Sequence, residues 1–71
     1  MRHYLFTIVG NRIQAIEEVN GTPNDLIFVP NRGDAGLYYQ RDGNNNIANI
    51  YCGAFTQEGA TEVVNDFLAT E

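Results

Sequence analysis

Pairs of glycine with asparagine or aspartate separate short apolar runs in this chain. They occur at Gly10-Asn11, Asn20-Gly21 and Asp42-Gly43, each beside a short apolar run. Such pairs readily adopt the positive φ angles that tight hairpin turns require. Because the apolar runs are only four to seven residues long, the spacing predicts successive antiparallel strands. The predicted strands cover residues 4–9, 13–19, 26–29, 37–40 and 47–52.

The second of these segments, residues 13–19, fits two structures. As a strand that follows a two-residue turn, it would place Gln14 opposite Thr7 and Ile16 opposite Leu5, which are reasonable cross-strand pairs. As a helix, it would carry an apolar residue at every third position. Such a helix would have only about two turns, which is marginal by length. The sequence favours the strand and leaves the helix open.

The last segment of the chain predicts one amphipathic helix. Thr56 is a favourable N-cap. The apolar residues that follow it recur at helical spacing, at Ala60, Val63, Val64, Phe67 and Leu68. This spacing places them on one face of a helix over about 57–69. The predicted fold is therefore α+β, with one domain over residues 1–71. It consists of a four- to five-stranded antiparallel β-meander and one C-terminal α-helix packed on one face.

A sheet of this size is wider than the one helix that would cover it. Five strands span about 20–25 Å, whereas a helix with its side chains is about 10 Å across. The first strand is apolar on both sides, because Tyr4 and Phe6 alternate with Leu5 and Val9. A chain of 71 residues also has a small core, so oligomerisation is a common source of extra stability. We therefore expect either that the sheet curls around the helix or that a homodimer forms through the open sheet face.

The net charge of the chain is concentrated in its last 30 residues. Residues 1–41 contain four arginines and four carboxylates, and residues 42–71 contain five carboxylates and no lysine or arginine. A field of one sign gives information about partners rather than about the fold. Direct binding to nucleic acid or to an anionic membrane needs a basic patch. We therefore expect neither, and an acidic chain instead suits a partner with a basic surface.

Three carboxylates lie at helical spacing in the last segment: Glu58, Glu62 and Asp66. We call them the acidic ridge. Like charges four residues apart destabilise a helix, and Asp66 lies near the carboxyl end, where the helix dipole disfavours negative charge. Side chains four apart on a helix are about 6 Å from each other, similar to successive backbone phosphates. The ridge could therefore occupy a nucleic-acid-binding surface of another protein. The simpler interpretation is a solvated face that keeps the protein soluble.

Tyr38, Tyr39 and Arg41 are further candidates for contact with a partner. Adjacent residues of a strand point to opposite faces, so we expect at least one of the two tyrosines to be exposed. Exposed tyrosine is enriched at protein interfaces. Ordinary packing within the sheet is the alternative.

Recognisable catalytic motifs are absent from the sequence. Cys52 and His3 are the one conceivable nucleophile–base pair, but a cysteine at the end of an apolar strand is typical of a buried, inert thiol. A single cysteine and a single histidine also make a metal site unexpected. We predict no catalytic activity, no cofactor and no metal. No segment has the length of a membrane span or the pattern of a secretory signal, so we expect a cytoplasmic protein.

In its general character the chain resembles the small inhibitors that phages and mobile elements encode, such as anti-CRISPR and anti-restriction proteins, and bacteriocin immunity proteins. The resemblance is one of type and implies no residue roles. It implies a small acidic inhibitor that blocks a basic, nucleic-acid-binding surface of a larger protein. The alternative is a small homo-oligomeric module, structural or ligand-binding, with no catalytic activity.

Overall fold

The computed structural model describes residues 1–21, 24–33 and 36–71. This part of the chain contains five strands and one helix: β1 Arg2–Val9, β2 Arg12–Val19, β3 Ile27–Val29, β4 Leu37–Arg41, β5 Ile47–Ala54 and α1 Gln57–Ala69. The strands form an antiparallel sheet, and α1 packs against one side of it. The predicted α+β fold and the C-terminal helix are confirmed. The ambiguous segment 13–19 lies in β2 and is a strand.

The strand order differs from a continuous meander at one connection. The order across the sheet is β2-β1-β5-β4-β3, so β1–β2 is a hairpin and β3-β4-β5 is a meander, but β3 does not pair with β2. Instead β5 pairs with β1 along most of its length. This order places the two strands with the most buried residues in the centre and the more exposed β2 and β3 at the edges. β1 is buried on one face and half-buried on the other, and β5 is mostly buried on both, so these two apolar strands suit central positions in the sheet.

The β1–β2 hairpin closes through a tight turn. Gly10 and Asn11 have φ angles of 59° and 62°, as a two-residue turn of this kind requires. Next to the turn, Val9 pairs with Arg12 and Ile8 with Ile13, as a two-residue turn requires, but from Thr7 onward the register is one residue away from the predicted one. Ile16 lies opposite Phe6 rather than Leu5. Because neighbouring residues of a strand point to opposite faces, this shift moves Ile16 to the other side of the sheet.

A β-bulge in β2 explains the corrected register. Thr7 pairs with Ala15 and Ile8 pairs with Ile13, so Gln14 is the extra residue. The bulge brings Ile13 onto the same side of the sheet as Ile16, although the two are three positions apart. Both pack against the core. Apolar residues at every third position, which left a helix open as an alternative, are therefore explained by the bulge in a strand.

The two central strands define the two faces of the sheet. The side that α1 covers, called the helix face, carries the buried apolar residues of β1 and β5: Tyr4, Phe6, Ile8, Ile50 and Cys52. They pack against the buried residues of the helix, which are Ala60, Val64, Phe67 and Leu68. The opposite side, called the far face, carries His3, Leu5 and Thr7 of β1 and Tyr51 of β5. No helix in the described part of the chain is long and apolar enough to cross a membrane.

Candidate protein-binding surfaces

The acidic ridge lies on the solvent side of α1. Glu58, Glu62 and Asp66 are all exposed, whereas the residues that face the sheet are buried. The side chain of Thr56 caps the helix, because its Oγ1 accepts a hydrogen bond from the Gly59 backbone N–H at 3.0 Å. Glu58 in the first turn suits the positive end of the helix dipole, and Asp66 near the other end does not.

Within residues 1–21, 24–33 and 36–71, no arginine pairs with the ridge. The ion pair found in this part of the chain joins Arg41 Nη2 to Glu71 Oε1, at 2.6 Å. The three ridge carboxylates therefore form a row without an intramolecular counter-ion among the described residues. This is the arrangement that helical spacing and the lack of lysine predict for the outer side of the helix.

The carboxyl end of α1, in contrast, collects positive charge from elsewhere in the fold. The last turn of the helix contains no basic residue. Arg41 reaches it from the end of β4 and pairs with Glu71, and Arg32 Nη2 donates a hydrogen bond to Thr70 Oγ1 at 3.2 Å. The hydrogen bond to Glu71 raises the pKa of the Arg41 guanidinium. Both arginines thus lie at the end of the helix where the dipole favours cations.

Aromatic packing reinforces this end of the helix. The ring of Tyr39 lies 5.4 Å from the ring of Phe67, measured between centroids. The Arg41 guanidinium lies 5.3 Å from the Tyr39 centroid, and that of Arg32 lies 5.7 Å from the Phe67 centroid. Such contacts add cation–π attraction to the buried apolar area. Tyr39 and Arg41, which we proposed as anchors for a partner, are therefore engaged within the chain.

Asn11 completes the carboxyl-terminal arrangement. Its Nδ2 donates a hydrogen bond to the backbone oxygen of Leu68 at 3.1 Å. The last carbonyls of a helix lack partners within the helix. The Leu68 oxygen accepts from the Glu71 N–H at 3.2 Å, and Asn11 is its second donor. The turn that closes the β1–β2 hairpin therefore also positions the end of α1.

Tyr38 points to the far face, away from the ridge. There it belongs to a row of four rings on four neighbouring strands: His3, Tyr51, Tyr38 and Phe28. We call this set the aromatic row. Neighbouring ring centroids are 5.6, 5.8 and 5.0 Å apart. The sequence alone does not reveal the row, because it exists only when β5 lies between β1 and β4.

The aromatic row is covered at its centre and open at one end. The Tyr51 hydroxyl donates a hydrogen bond to the backbone oxygen of Gly21, so the chain that leaves β2 passes over the far face there. Tyr51 is 4% exposed, whereas Phe28 at the end of the row is 50% exposed. The Phe28 ring rests on Gly36, where an added Cβ would lie 2.6 Å from it. The open sheet face of our prediction is thus partly closed by the chain itself.

The six residues that we predicted for partner binding lie in three places. Glu58, Glu62 and Asp66 form the ridge, Tyr39 and Arg41 lie at the end of α1, and Tyr38 lies on the far face. Of these groups, the ridge alone is both exposed and without a partner among the described residues. The structure therefore reduces the candidate electrostatic site to the three carboxylates.

The conceivable nucleophile–base pair does not form. Tyr4 lies opposite Cys52 and His3 lies opposite Gly53, so His3 and Cys52 point to opposite faces of the sheet. Cys52 is completely buried, and burial raises the pKa of its thiol to about 11, which keeps it protonated at neutral pH. The described residues also contain no cluster of three histidine, cysteine or carboxylate side chains that could hold a metal ion.

Comparisons of this chain with protein-family models, with curated proteins and with solved structures gave no match. The surfaces described above are therefore the basis for any statement about function.

Proposed function

We propose that this protein is a small, stoichiometric, protein-binding inhibitor that blocks a basic surface of a larger protein. The acidic ridge is the part that docks. The target surface is one that otherwise binds nucleic acid, and inhibitors of this kind act in the cytoplasm, as those encoded by phages and mobile elements do. The protein itself contacts neither nucleic acid nor membrane.

The observation that supports this proposal is the exposed row of carboxylates without a counter-ion. Three like charges on one helix face reduce helix stability slightly, and among the described residues no ion pair offsets this. An opposite charge supplied by a partner would offset it. A basic surface attracts such a row more strongly where the interface excludes part of the solvent that screens the charges.

The position of the arginines gives further support. Arg32 and Arg41 lie at the carboxyl end of α1, where Thr70 and Glu71 hold them. They therefore do not neutralise the middle of the helix. With a net charge of −5 for the chain, the outer side of α1 attracts a basic partner over a distance of about one Debye length, roughly 8–10 Å at moderate salt.

This electrostatic docking predicts a particular kinetic behaviour. Complementary charges mainly accelerate association and improve specificity, and they add less to affinity. Salt should therefore slow association more than it accelerates dissociation. An inhibitor that binds mainly through apolar contacts would show little change in its association rate.

The experiment that tests the proposal starts with capture of a partner from a cell lysate on the immobilised protein. The captured protein is then assayed for nucleic-acid binding with and without the inhibitor. We expect one equivalent of the inhibitor to displace the nucleic acid. A captured protein that binds nucleic acid equally well in both conditions would contradict the proposal.

A matched pair of variants assigns the effect to the ridge. Glu62→Lys with Asp66→Lys reverses two ridge charges without changing the favourable Glu58 in the first turn. Glu18→Lys with Asp25→Lys makes the same change in net charge at two exposed positions outside the helix. We expect the ridge variant to lose inhibition and the control to retain it. Equal losses in the two variants would show that net charge matters and the ridge does not.

The second candidate function is a homo-oligomeric module, structural or ligand-binding, and the open end of the far face favours it. Phe28 there is half exposed. Met1, just before β1, and Val9, at the end of β1, are 55% and 57% exposed. Large exposed apolar side chains on one sheet face are a feature of interfaces between copies. Light scattering after size exclusion would detect the oligomer, and Phe28→Ser should abolish it. A monomer at high concentration would exclude this function.

A further inference from the structure

The outer edge of β2 is the longest uncovered strand edge in the described part of the chain. β2 has eight residues and pairs only with β1, so the backbone groups on its other side have no partner strand. Every residue of β2 is exposed or half exposed. At the opposite edge of the sheet, β3 has only three residues. Long open edges are templates for pairing with another strand.

The side chains of β2 form a self-complementary pattern. Arg12 and Glu17 lie opposite Val9 and Leu5 of β1, which places both charges on the far face. They are five positions apart and would lie on opposite faces of a regular strand. The bulge at Gln14 is what brings them onto the same face.

The two isoleucines of β2 also share one face of the sheet because of the bulge. Ile13 and Ile16 lie opposite Ile8 and Phe6, so both point to the helix face. Both are only half buried, although they pack against the core. A neighbouring strand beside β2 would cover the part of each side chain that still contacts water.

From this pattern we propose that a second copy of this chain pairs with β2 through its own β2, antiparallel and about a twofold axis. In the proposed register Arg12 lies opposite Glu17 of the second copy, and Ile13 lies opposite Ile16 of the second copy. A twofold axis makes each of these contacts occur twice. The result is a continuous ten-stranded sheet across the dimer. This dimer does not depend on the inhibitor function, and its interface differs from the one proposed at Phe28 on the far face.

Other registers do not preserve the match. A shift of one residue places a far-face residue opposite a helix-face residue. A shift of two residues places Ile13 opposite Glu18 in one direction and opposite Gln14 in the other, and in both it leaves Arg12 without an opposite charge. The proposed register is the one that combines charge pairs with apolar pairs, each on a single face of the joined sheet.

The charges of this edge are available for the contact. Neither Arg12 nor Glu17 forms an ion pair within the described residues. Opposite charges directly across two strands stabilise the pairing, and like charges at the same place destabilise it. The contact buries little area, so the dimer is a weak one that forms at high protein concentration.

Sedimentation equilibrium over a wide range of protein concentrations tests the proposal. The wild-type chain should show a monomer–dimer equilibrium. Arg12→Glu and Glu17→Arg should each increase the dimer Kd about tenfold or more, because each converts both charge pairs into like-charge pairs. Glu18→Arg is the matched control, since it makes the same charge change one residue away on the helix face. The control should leave the Kd within about twofold of wild type.

An equimolar mixture of the two single variants is the most discriminating test. In a dimer of one Arg12→Glu chain with one Glu17→Arg chain, opposite charges face each other at both sites. The mixture should therefore form a heterodimer with a Kd close to that of wild type. Circular dichroism of each variant should show that the fold is retained, because both positions are exposed.

Three results would overturn the proposal. The first is a wild-type chain that remains a monomer at all concentrations, in which case a second copy does not cover the edge. The second is a dimer whose Kd does not change in either single variant, which would place the interface elsewhere, such as at Phe28 on the far face. The third is a mixture that fails to restore the dimer, which would exclude the proposed register.

Discussion

The carboxyl end of α1 and the acidic ridge belong to the same helix but have opposite electrostatic surroundings. At the carboxyl end, Arg32 and Arg41 approach from other elements and contact Thr70 and Glu71. Along the ridge, Glu58, Glu62 and Asp66 face solvent, and no arginine in the described part of the chain pairs with them. The fold therefore places two of its four arginines where they hold the helix against the sheet.

This difference indicates which charges serve the fold and which are free to serve a partner. Glu71 forms an ion pair with Arg41, and the same arginine also contacts the ring of Tyr39, so this charge contributes to the stability of the fold. Along the ridge, Glu58 suits the amino end of the helix, but Glu62 and Asp66 contribute repulsion within the helix. Substitutions at the two places should therefore have opposite effects on stability, and the ridge alone should affect binding.

The largest effect is expected from Phe67→Ala, which breaks the carboxyl-terminal arrangement itself. Phe67 is 4% exposed and packs against Tyr39 and Arg32. Truncation of a buried phenylalanine lowers the free energy of unfolding by about 3–5 kcal/mol. A domain of this size has a total of only about 3–5 kcal/mol, so urea titration should show a variant that is largely unfolded without denaturant.

Phe55→Ala is the matched control for that substitution. Phe55 lies just before the helix and is 68% exposed, so its loss should change the free energy of unfolding by less than about 0.5 kcal/mol. Similar urea midpoints for the two variants would contradict the assignment of Phe67 to the core.

A smaller loss of stability is expected from Arg41→Ala. This change removes the ion pair with Glu71 and the stacking on Tyr39. The urea midpoint should fall, and the difference from wild type should decrease as salt screens the ion pair. Arg2→Ala, at an exposed position with no ion pair in the described residues, is the control and should leave the midpoint unchanged.

The smallest effect, and one of opposite sign, is expected at the ridge. Asp66→Asn removes a negative charge that repels Glu62 and opposes the helix dipole, so it should raise the free energy of unfolding by about 0.3–0.5 kcal/mol. Glu71→Gln removes a charge of the same sign five residues later and should lower it. If both substitutions shifted the thermal midpoint in the same direction, the contrast between the two places would not hold.

Much of the fold was predictable because local signals decide it. The positive-φ turn at Gly10 and Asn11, the capped helix after Thr56 and the alternation of Tyr4 with Leu5 each act over a few residues. The exposure of the ridge follows from the same helical spacing that buries Val64. These predictions needed no knowledge of which strands are neighbours.

The features that were missed depend on contacts between residues distant in the sequence. The bulge at Gln14 was not predicted, because the chemistry of the turn suggests a regular register. The bulge lets Ile13 and Ile16 pack against the core on the same face of the sheet. Arg41 was predicted to contact a partner, whereas in the structure it pairs with Glu71, 30 residues away. Local spacing in the sequence does not reveal such a pair. The aromatic row was missed because it requires β5 between β1 and β4.

The most direct test of the account measures how salt changes the affinity of the captured basic partner for three proteins: wild type, the ridge variant Glu62→Lys with Asp66→Lys, and the control Glu18→Lys with Asp25→Lys. The account predicts that wild type and the control lose affinity steeply as salt increases, and that the ridge variant binds weakly at every salt concentration. A ridge variant that binds with wild-type affinity and the wild-type salt dependence would contradict the claim that the exposed carboxylates of α1 are the docking site.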